Sequence, residues 1–206
     1  MFRMLMGVML LLSAAMVAGA AEPGYRALFD GQTFDGWEGN EEIFRIEDGA
    51  IVGGTLDAPI ARNEFLCTRE QFGDFELRLQ FKLVGKGANA GVQIRSQRIA
   101  DHHEVRGYQA DLGDGWWGSL YDESRRRRIL AKADPDVMKR ALKGDDWNDY
   151  TIRRQGGRIQ LWINGEPTVD YTEPDETIEQ TGIIGLQIHA GRPSEACYRN
   201  IRIKEL

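Results

Sequence analysis

A strict alternation of apolar and polar residues over positions 75–83 is the strongest constraint on what this chain can fold into. The apolar side chains of the segment recur at every second position: Phe75, Leu77, Leu79, Phe81 and Leu83. Successive side chains of a β-strand point to opposite faces of a sheet, so this period predicts a long strand with one buried face. A helix would not bury this pattern, because its period is 3.6 residues.

A second alternating segment, Ile159 to Ile163, ends at Asn164-Gly165, the dipeptide that most favours a two-residue hairpin turn. Together with the segment before it, this predicts a three-stranded antiparallel meander from Tyr150 to Tyr171. Six shorter strands are expected at Glu42–Ile46, Ala50–Gly53, Gly91–Arg95, Gly107–Asp111, Gly182–His189 and Tyr198–Lys204.

Turns are frequent and helices are rare in this sequence. The chain has 24 glycines among 206 residues, above the usual share of about 7%, and they fall between the predicted strands. One short helix is expected, with Asp134 as its N-cap, Pro135 in its first position and Gly144 after its end. These signals predict an all-β fold in which two antiparallel sheets pack as a jelly-roll sandwich.

The first twenty residues have the organisation of a secretory signal peptide. Arg3 precedes an apolar run from Leu5 to Val17, and Ala18-Gly19-Ala20 supplies small residues for cleavage. We therefore expect residues 1–20 to be a signal peptide and 21–206 to form one exported domain, periplasmic or extracellular. The chain has 26 Lys and Arg against 32 Asp and Glu. This acidic balance argues against nucleic acid and anionic membrane as partners.

Two cysteines, Cys67 and Cys197, lie in strand-like segments near opposite ends of the domain. Export makes a disulfide between them chemically possible. Two separate buried thiols are the alternative, because cysteine also packs as a small apolar side chain.

Three of the predicted strands place an amide and an ionisable group on the same face. The pairs are Gln93 with Arg95, Gln109 with Asp111, and Gln187 with His189. Any one pair is compatible with the solvent-facing side of an ordinary strand. If the three strands are neighbours, however, the pairs form a polar platform, and amides and carboxylates suit sugar hydroxyls because they donate and accept in fixed directions.

Two adjacent tryptophans, Trp116 and Trp117, lie between the second and third of these strands. They cannot both point into the core from one strand, so at least one is expected at a groove, where it can stack on a sugar ring. The residues that follow at the rim of this groove are Tyr121, Asp122 and Glu123.

Two charged runs have a plain interpretation and a functional alternative. The segment Arg125–Arg128 is expected to be a solvated face paired with Asp122 and Glu123, or else to contribute one arginine to the site. The segment Asp101–Glu104 is expected to be a solvated loop, with a divalent-cation site as the alternative. No other cofactor is predicted.

Ordered motifs along nearly the whole chain after residue 20 resemble the 3-keto-disaccharide hydrolase family. They are Leu28–Trp37, Phe44–Ile51, Gly87–Arg95, Gly107–Asp111, Trp147-Asn148, Gly185–His189 and Tyr198–Leu206. The resemblance implies a concanavalin A-like jelly roll of the lectin and glucanase type, export, and cleavage of glycosides already oxidised at C3.

The chain departs from the family pattern at two motifs. The usual Asn-Ser-Gly is Asn89-Ala90-Gly91, and the usual Glu-x-Gln-x-x-Asp is replaced by Gly107–Asp111. If the missing acid carries chemistry, either Glu104 or Glu123 supplies it, or this subgroup works differently.

A ketone at C3 acidifies the C2 proton, so such a glycoside can break by elimination of its C1 substituent. This needs a base, an enolate stabiliser and an acid. Our hypothesis assigns His189 or Asp111 as base, Arg95 as enolate stabiliser, and Glu123 or Tyr121 as acid. The residues expected to hold the sugar are Gln93, Gln109, Gln187, Trp116 and Trp117.

Two rival functions remain. An ordinary glycosidase needs two carboxylates that bracket the bond, and Gln109 stands where related enzymes have the first. A non-catalytic carbohydrate-binding module would share the fold and the polar face. It would not require His189 and Asp111 to reach one ligand position.

Overall fold

The computed structural model describes residues 22–206. It contains fifteen strands and one helix. Their bounds are β1 Arg26–Ala27, β2 Trp37–Glu38, β3 Phe44–Glu47, β4 Ala50–Thr55, β5 Glu64–Thr68, β6 Phe75–Val84, β7 Asn89–Arg98, β8 Val105–Gly113, β9 Leu120–Glu123, β10 Ile129–Ala131, α1 Pro135–Ala141, β11 Asn148–Gln155, β12 Arg158–Ile163, β13 Glu166–Thr172, β14 Ile183–Ile188 and β15 Ser194–Glu205. The predicted signal peptide, residues 1–20, lies outside the described residues.

The strands form two antiparallel sheets that face each other. The back sheet has eight strands, in the order β13-β12-β11-β6-β15-β4-β3, with β1 paired to β15. The front sheet has seven, in the order β10-β9-β8-β7-β14-β5-β2. The prediction of an all-β, two-sheet sandwich with one short helix is confirmed. No helix in the described part of the chain has the length and hydropathy needed to cross a membrane.

The core fills the space between the inner faces of the two sheets. Along β6, all ten residues alternate between buried and half-buried, as the sequence period predicts. Phe81 and Leu79 of the back sheet belong to the same apolar cluster as Val92 and Leu186 of the front sheet. Each such side chain contributes about 1.5–3 kcal/mol when fully buried, so the alternation itself drives the two sheets together.

The local turn and cap signals also form as predicted. Asn164 and Gly165 both have positive φ, at 51° and 83°, which is the backbone of the two-residue hairpin turn between β12 and β13. At α1, the Asp134 carboxylate accepts a hydrogen bond from the Asp136 amide at 2.8 Å, and Pro135 occupies the first helical position.

The two cysteines are separate buried thiols. Cys67 lies in β5 of the front sheet and Cys197 in β15 of the back sheet, and neither is in a disulfide. Burial raises the pKa of the Cys67 thiol to about 12, so this group is not a reactive thiolate at neutral pH.

A β-bulge in β7 changes the alternation that the sequence predicts. Ile94 pairs with Tyr108, but the next pair is Gln97 with Arg106, so β7 carries one residue more than β8. Arg95 takes a φ of +50° at this point. The extra residue turns Arg95 away from the face that carries Gln93.

Candidate functional site

An open cleft of about 200 Å³ lies on the outer face of the front sheet. Its strands β9, β8, β7 and β14 are direct neighbours, which is the arrangement that the polar platform requires. The residues that line the cleft are Asn63, Asn89, Glu104, Gln109, Asp111, Trp116, Tyr121, Glu123, Arg127 and His189.

A chain of side-chain hydrogen bonds crosses the platform and ends at Asp111. Ser96 Oγ donates to Gln93 Oε1 at 2.8 Å, and Gln93 Nε2 donates to Gln109 Oε1. Gln109 Nε2 in turn donates to Asp111 Oδ1 at 2.5 Å. The bulge makes this chain possible, because it places Ser96 on the face of Gln93. The chain holds one oxygen of Asp111, while Oδ2 has no hydrogen-bond partner among the described residues.

Gly91 provides the room for this arrangement. It lies opposite Asp111 in the neighbouring strand, and a Cβ atom there would lie 2.6 Å from Gln109 Cδ. The Gln109 side chain therefore crosses the sheet over a position that only glycine can occupy without displacing it.

Asp111 is a buried carboxyl group that forms no ion pair with any of residues 22–206. Only 3% of the residue is exposed, and this desolvation raises its pKa to about 7. Nearby Glu123 raises the pKa further, and the hydrogen bond from Gln109 opposes the shift. At neutral pH this group is therefore present in both protonation states, as acid–base chemistry requires.

Glu123 lies at the end of β9 and is, after Asp111, the second acidic group of the cleft whose pKa is shifted. Burial raises its pKa and Glu104 adds to the shift, whereas Ser124 and His189 lower it. Ser124 Oγ contacts the carboxylates of both Glu104 and Glu123. Gln187 Nε2 approaches Glu123 Oε2 at 3.4 Å from the other side of the cleft.

His189 follows β14 and is held by three backbone contacts. Its amide donates to Asn89 O at 3.0 Å, and Asn63 Oδ1 accepts from the Ala190 amide at 2.9 Å. His189 Nδ1 lies 2.7 Å from Ala190 O. A carbonyl oxygen can only accept, so Nδ1 carries the proton. In the neutral ring Nε2 is then unprotonated and can accept a proton.

The two tryptophans lie in different environments. Trp116 is 37% exposed and packs edge to face against Tyr121, with ring centroids 6.0 Å apart, so it lines the cleft. Trp117 stacks on Phe81 of the back sheet at 6.1 Å and lies outside the cleft. Unlike Trp116, Trp117 is therefore not placed to contact a sugar in this cleft, because its ring packs against the core.

Six of the ten predicted site residues line the cleft, and the four that do not are Trp117, Gln93, Gln187 and Arg95. Gln93 and Gln187 are fully buried behind the lining residues. Arg95 lies between the sheets, where Arg154 and Tyr108 are its electrostatic neighbours. Arg95 therefore does not line the cleft, because the bulge turns its side chain away from the face that carries Gln93. The predicted residues that line the cleft are Gln109, Asp111, Trp116, Tyr121, Glu123 and His189.

The sequence gives no signal that Asn63 or Asn89 belongs to the site, and it does not distinguish Arg127 from the other arginines of the segment Arg125–Arg128. Arg125 and Arg126 pair with the buried Asp122, whereas Arg127 turns into the cleft at a φ of +53°. Within residues 22–206, no carboxylate lies within 4.0 Å of the Arg127 guanidinium. Only the turn geometry separates it from its neighbours.

The segment Asp101–Glu104 does not assemble a cation site. The His102 and His103 rings stack on each other at 4.4 Å, and His102 Nδ1 accepts the Glu104 amide at 3.1 Å. Across the described residues there is no group of three His, Cys, Asp or Glu that could hold a metal ion.

Comparison with known proteins agrees with this architecture. A 3-keto-disaccharide hydrolase of Bacteroides thetaiotaomicron is 25% identical, and the alignment covers 89% of this chain and 79% of that protein. Among solved structures, a candidate glycosyl hydrolase of Parabacteroides distasonis superposes with a TM-score of 0.67 at 20% identity, covering 89% of this chain and 94% of that one. The carbohydrate-binding module CBM66 of Bacillus subtilis gives 0.63 at 14% identity, covering 82% and 96%.

At these identities the two solved structures support the jelly-roll fold alone. The family model for the 3-keto-alpha-glucoside-1,2-lyase-like domain, in contrast, matches residues 24–204, which is nearly all of the described chain. The resemblance read from the ordered motifs is confirmed, and this chain belongs to the 3-keto-alpha-glucoside-1,2-lyase-like family.

Proposed function

We propose that this protein is an exported enzyme that cleaves glycosides oxidised at C3, and that it begins by removing the C2 proton. One observation carries the proposal. The same cleft contains His189, whose Nε2 is free to accept a proton, and Asp111, whose pKa is about 7. Binding a sugar does not require such a pair, whereas acid–base chemistry does.

The first step forms an enolate. His189 Nε2 takes the proton from C2, and the electron pair of the C–H bond moves to form a C2–C3 double bond and a negatively charged C3 oxygen. Arg127, which has no carboxylate partner in the described chain, is the cation available in the cleft to stabilise this oxygen. It takes the role that sequence reasoning gave to Arg95.

The second step expels the substituent at C1. The enolate electrons form a C1–C2 double bond and restore the C3 ketone, while the bond from C1 to the leaving oxygen breaks. Asp111 in its protonated form gives its proton to that oxygen. Addition of water, with hydroxyl to C1 and a proton to C2, completes a net hydrolysis.

Glu123 supports the base in this scheme. His189 lowers the pKa of Glu123, so the two groups interact electrostatically. The Glu123 carboxylate therefore favours the imidazolium that forms when His189 takes a proton. Burial and the neighbouring Glu123 raise the pKa of Tyr121, so its hydroxyl stays protonated and serves as a hydrogen-bond donor to the sugar.

The cleft suits one sugar ring. Its volume of about 200 Å³ lies below the roughly 300–1,000 Å³ of most small-molecule sites, so the leaving group would extend into solvent. Trp116 offers an exposed ring face at the rim, and Gln109 offers a fixed amide at the floor.

The proposal is tested with a 3-keto-glucoside that carries a chromogenic leaving group, beside its unoxidised parent. We expect release from the keto compound alone, and loss of that release in His189→Gln. Release from both compounds would favour a two-carboxylate glycosidase. Binding of either sugar without release would identify a carbohydrate-binding module, and both results would overturn the proposal.

The route through C2 has its own readout. If the reaction runs in D₂O, product formed by elimination and water addition carries deuterium at C2. Product formed by direct displacement at C1 does not. The control is 3-keto-glucose incubated without enzyme for the same time, which measures spontaneous exchange.

Export is tested separately from chemistry. The full chain expressed in a bacterial host should appear in the periplasm or medium, with its N-terminus at Ala21 after cleavage. Recovery of an uncleaved chain from the cytoplasm would contradict this part of the proposal and leave the catalytic part unaffected.

A further inference from the structure

Four arginines gather between the two sheets, away from the cleft. Arg95 comes from the bulge of β7 in the front sheet, and Arg154 comes from the inner face of β11 in the back sheet. Arg125 and Arg126 belong to the turn after β9. We call these four residues the arginine cluster. Arg95 and Arg154 are only 2% and 1% exposed, so their guanidinium groups are removed from water.

The acidic partners of the arginine cluster leave it with one excess positive charge. Arg154 Nη1 donates to Asp74, and its Nη2 donates to the Gln180 amide oxygen at 2.6 Å. The other pairs are Arg125 with Asp122 and Arg126 with Asp122 and Glu173. Within residues 22–206, four guanidinium groups thus face the three carboxylates of Asp74, Asp122 and Glu173, which is a net charge of +1.

Several donors of the arginine cluster have no acceptor in the protein. Within residues 22–206 these are Arg95 Nε and Nη2, Arg154 Nε and Arg125 Nη2, all of them buried. The Arg125 guanidinium carbon lies 4.5 Å from the Tyr108 ring centroid, and the Tyr108 hydroxyl donates to Glu173 at 2.7 Å. Tyr108 therefore packs against the cluster but does not neutralise it.

Neutralisation by loss of a proton is not available at physiological pH. Burial and the nearby Arg154 lower the pKa of Arg95, but only to about 10. An unpaired buried charge opposes folding strongly, because the group loses its hydration without a counter-charge.

We propose that the arginine cluster binds one small monovalent anion of the halide class, held by Arg95 together with Arg154 and Arg125. The natural occupant is chloride. A single negative charge cancels the excess charge, and donors from both sheets then share one acceptor. The anion joins the front sheet to the back sheet at this end of the sandwich. This site is separate from the cleft and does not depend on the proposed enzymatic activity.

Bromide locates the site directly in the unaltered protein. Crystals of the mature protein grown in sodium bromide should show an anomalous peak within hydrogen-bond distance of Arg95 Nη2 and Arg154 Nε. Density without anomalous signal at that position, in crystals whose surface bromides are visible, would assign an ordered water and overturn the proposal.

Thermal unfolding measures the contribution of the anion. After exhaustive dialysis into sodium gluconate, addition of chloride at constant ionic strength should raise Tm in a saturable way. The expected rise is about 5–10 °C at a hundredfold excess over the dissociation constant. A Tm that is the same in gluconate and chloride would contradict the proposal.

Two variants separate this effect from general salt screening. Arg95→Met should abolish the chloride dependence, because it removes the two unpartnered donors. Arg106→Met removes an exposed arginine from the adjacent strand β8 and should keep the full chloride response. An equal response in both variants would contradict the site. If Arg95→Met does not fold, the bromide experiment on the unaltered protein decides.

Discussion

Asp111 and Glu173 are both almost completely buried acidic residues, at 3% and 8% exposure, yet their pKa values shift in opposite directions. Desolvation raises the pKa of Asp111 to about 7, and among the described residues the opposing contact is a hydrogen bond from the neutral Gln109 amide. Desolvation acts in the same direction on Glu173, but hydrogen bonds from Arg126 and Tyr108 outweigh it and lower its pKa to about 2. The two residues lie in different regions of the same sandwich. Asp111 lies in the cleft, and Glu173 is an acidic partner of the arginine cluster.

The difference shows that ionic and hydrogen-bond partners, rather than burial alone, determine the protonation state of a buried carboxyl group. Glu173 is ionised and joins Arg126 to Tyr108, so it stabilises the fold. Asp111 contacts only an amide, so its charge is unfavourable in the folded state and its proton is available near neutral pH. The region around Glu173 serves stability, and the region around Asp111 is suited to chemistry.

Asp111→Asn tests the proposed chemical role of Asp111, and its effect on kcat is the largest that we expect. We expect kcat toward the keto compound to fall about 10²–10⁴-fold, because the amide cannot give a proton to the leaving oxygen. The measurement is release of the chromophore under single-turnover and steady-state conditions. Asp57→Asn, an exposed change of the same kind, should leave kcat unchanged.

The same variant should not lose stability. The folded-state pKa of Asp111 is raised from 3.8 to about 7, so its favourable contribution is present below about pH 3.8 and lost as the pH rises through 7. Above pH 7 the variant should therefore resist denaturant at least as well as the unaltered protein. A loss of unfolding free energy there, or activity within tenfold of normal, would contradict this account.

Glu173→Gln tests the contribution of Glu173 to the stability of the fold. We expect the free energy of unfolding at pH 7 to fall by about 3 kcal/mol, because Arg126 loses a buried ionic partner. The measurement is denaturant unfolding. Glu173 has a lowered pKa, so its contribution is present above about pH 4.5 and lost as the pH falls toward 2. The difference between variant and unaltered protein should therefore vanish near pH 2, and a difference that persists there would contradict the assignment.

The decline of kcat/KM at alkaline pH tests which protonation state of Asp111 is active. If the protonated form is the acid, kcat/KM should decline above about pH 7, by about tenfold for each further pH unit. Initial rates between pH 5 and 9 measure this decline. A profile that rises through pH 7 to a plateau would show that deprotonated Asp111 is the active form and would exchange its role with that of His189. A profile that is level from pH 5 to 9 would show that titration of Asp111 does not control the rate and would contradict the acid role.

Trp116→Ala has the smallest expected effect. Loss of the exposed ring should raise KM about 2–10-fold and leave Tm nearly unchanged. The expected effect on KM takes ring stacking on the sugar to be as strong as stacking between two aromatic side chains, about 0.5–1.5 kcal/mol. Trp117→Ala is the matched comparison, since its ring stacks on Phe81 and its loss should lower Tm instead. The opposite pattern for the two variants would contradict the placement of the cleft.

The fold was predictable because its signals are local. The alternation of β6, the Asn164-Gly165 turn and the Asp134 cap each depend on a few adjacent residues, and all three form as expected. The neighbouring positions of β8, β7 and β14 also agree with the platform inferred from repeated amide-bearing pairs. Gln109 and Asp111 therefore lie where their strand predicts.

The errors arose where one residue changed the direction of a side chain. Strict alternation places Arg95 beside Gln93, but the bulge inserts one residue and turns Arg95 to the space between the sheets. Trp117 lies outside the cleft because the loop gives its ring to Phe81 and leaves only Trp116 at the rim. Arg127 is distinguished from the arginines beside it by its turn conformation alone.

The sandwich, the family and the strands that carry the polar platform follow from the sequence, because period and turn chemistry act between near neighbours in the chain. Which groups meet in the cleft, and in what protonation state, follows from the packing of strands that are distant in the chain. The pKa of Asp111 depends on its burial, on the hydrogen bond from Gln109 and on Glu123 of the adjacent strand. Such a balance is set by distances between separate strands, which no local pattern records.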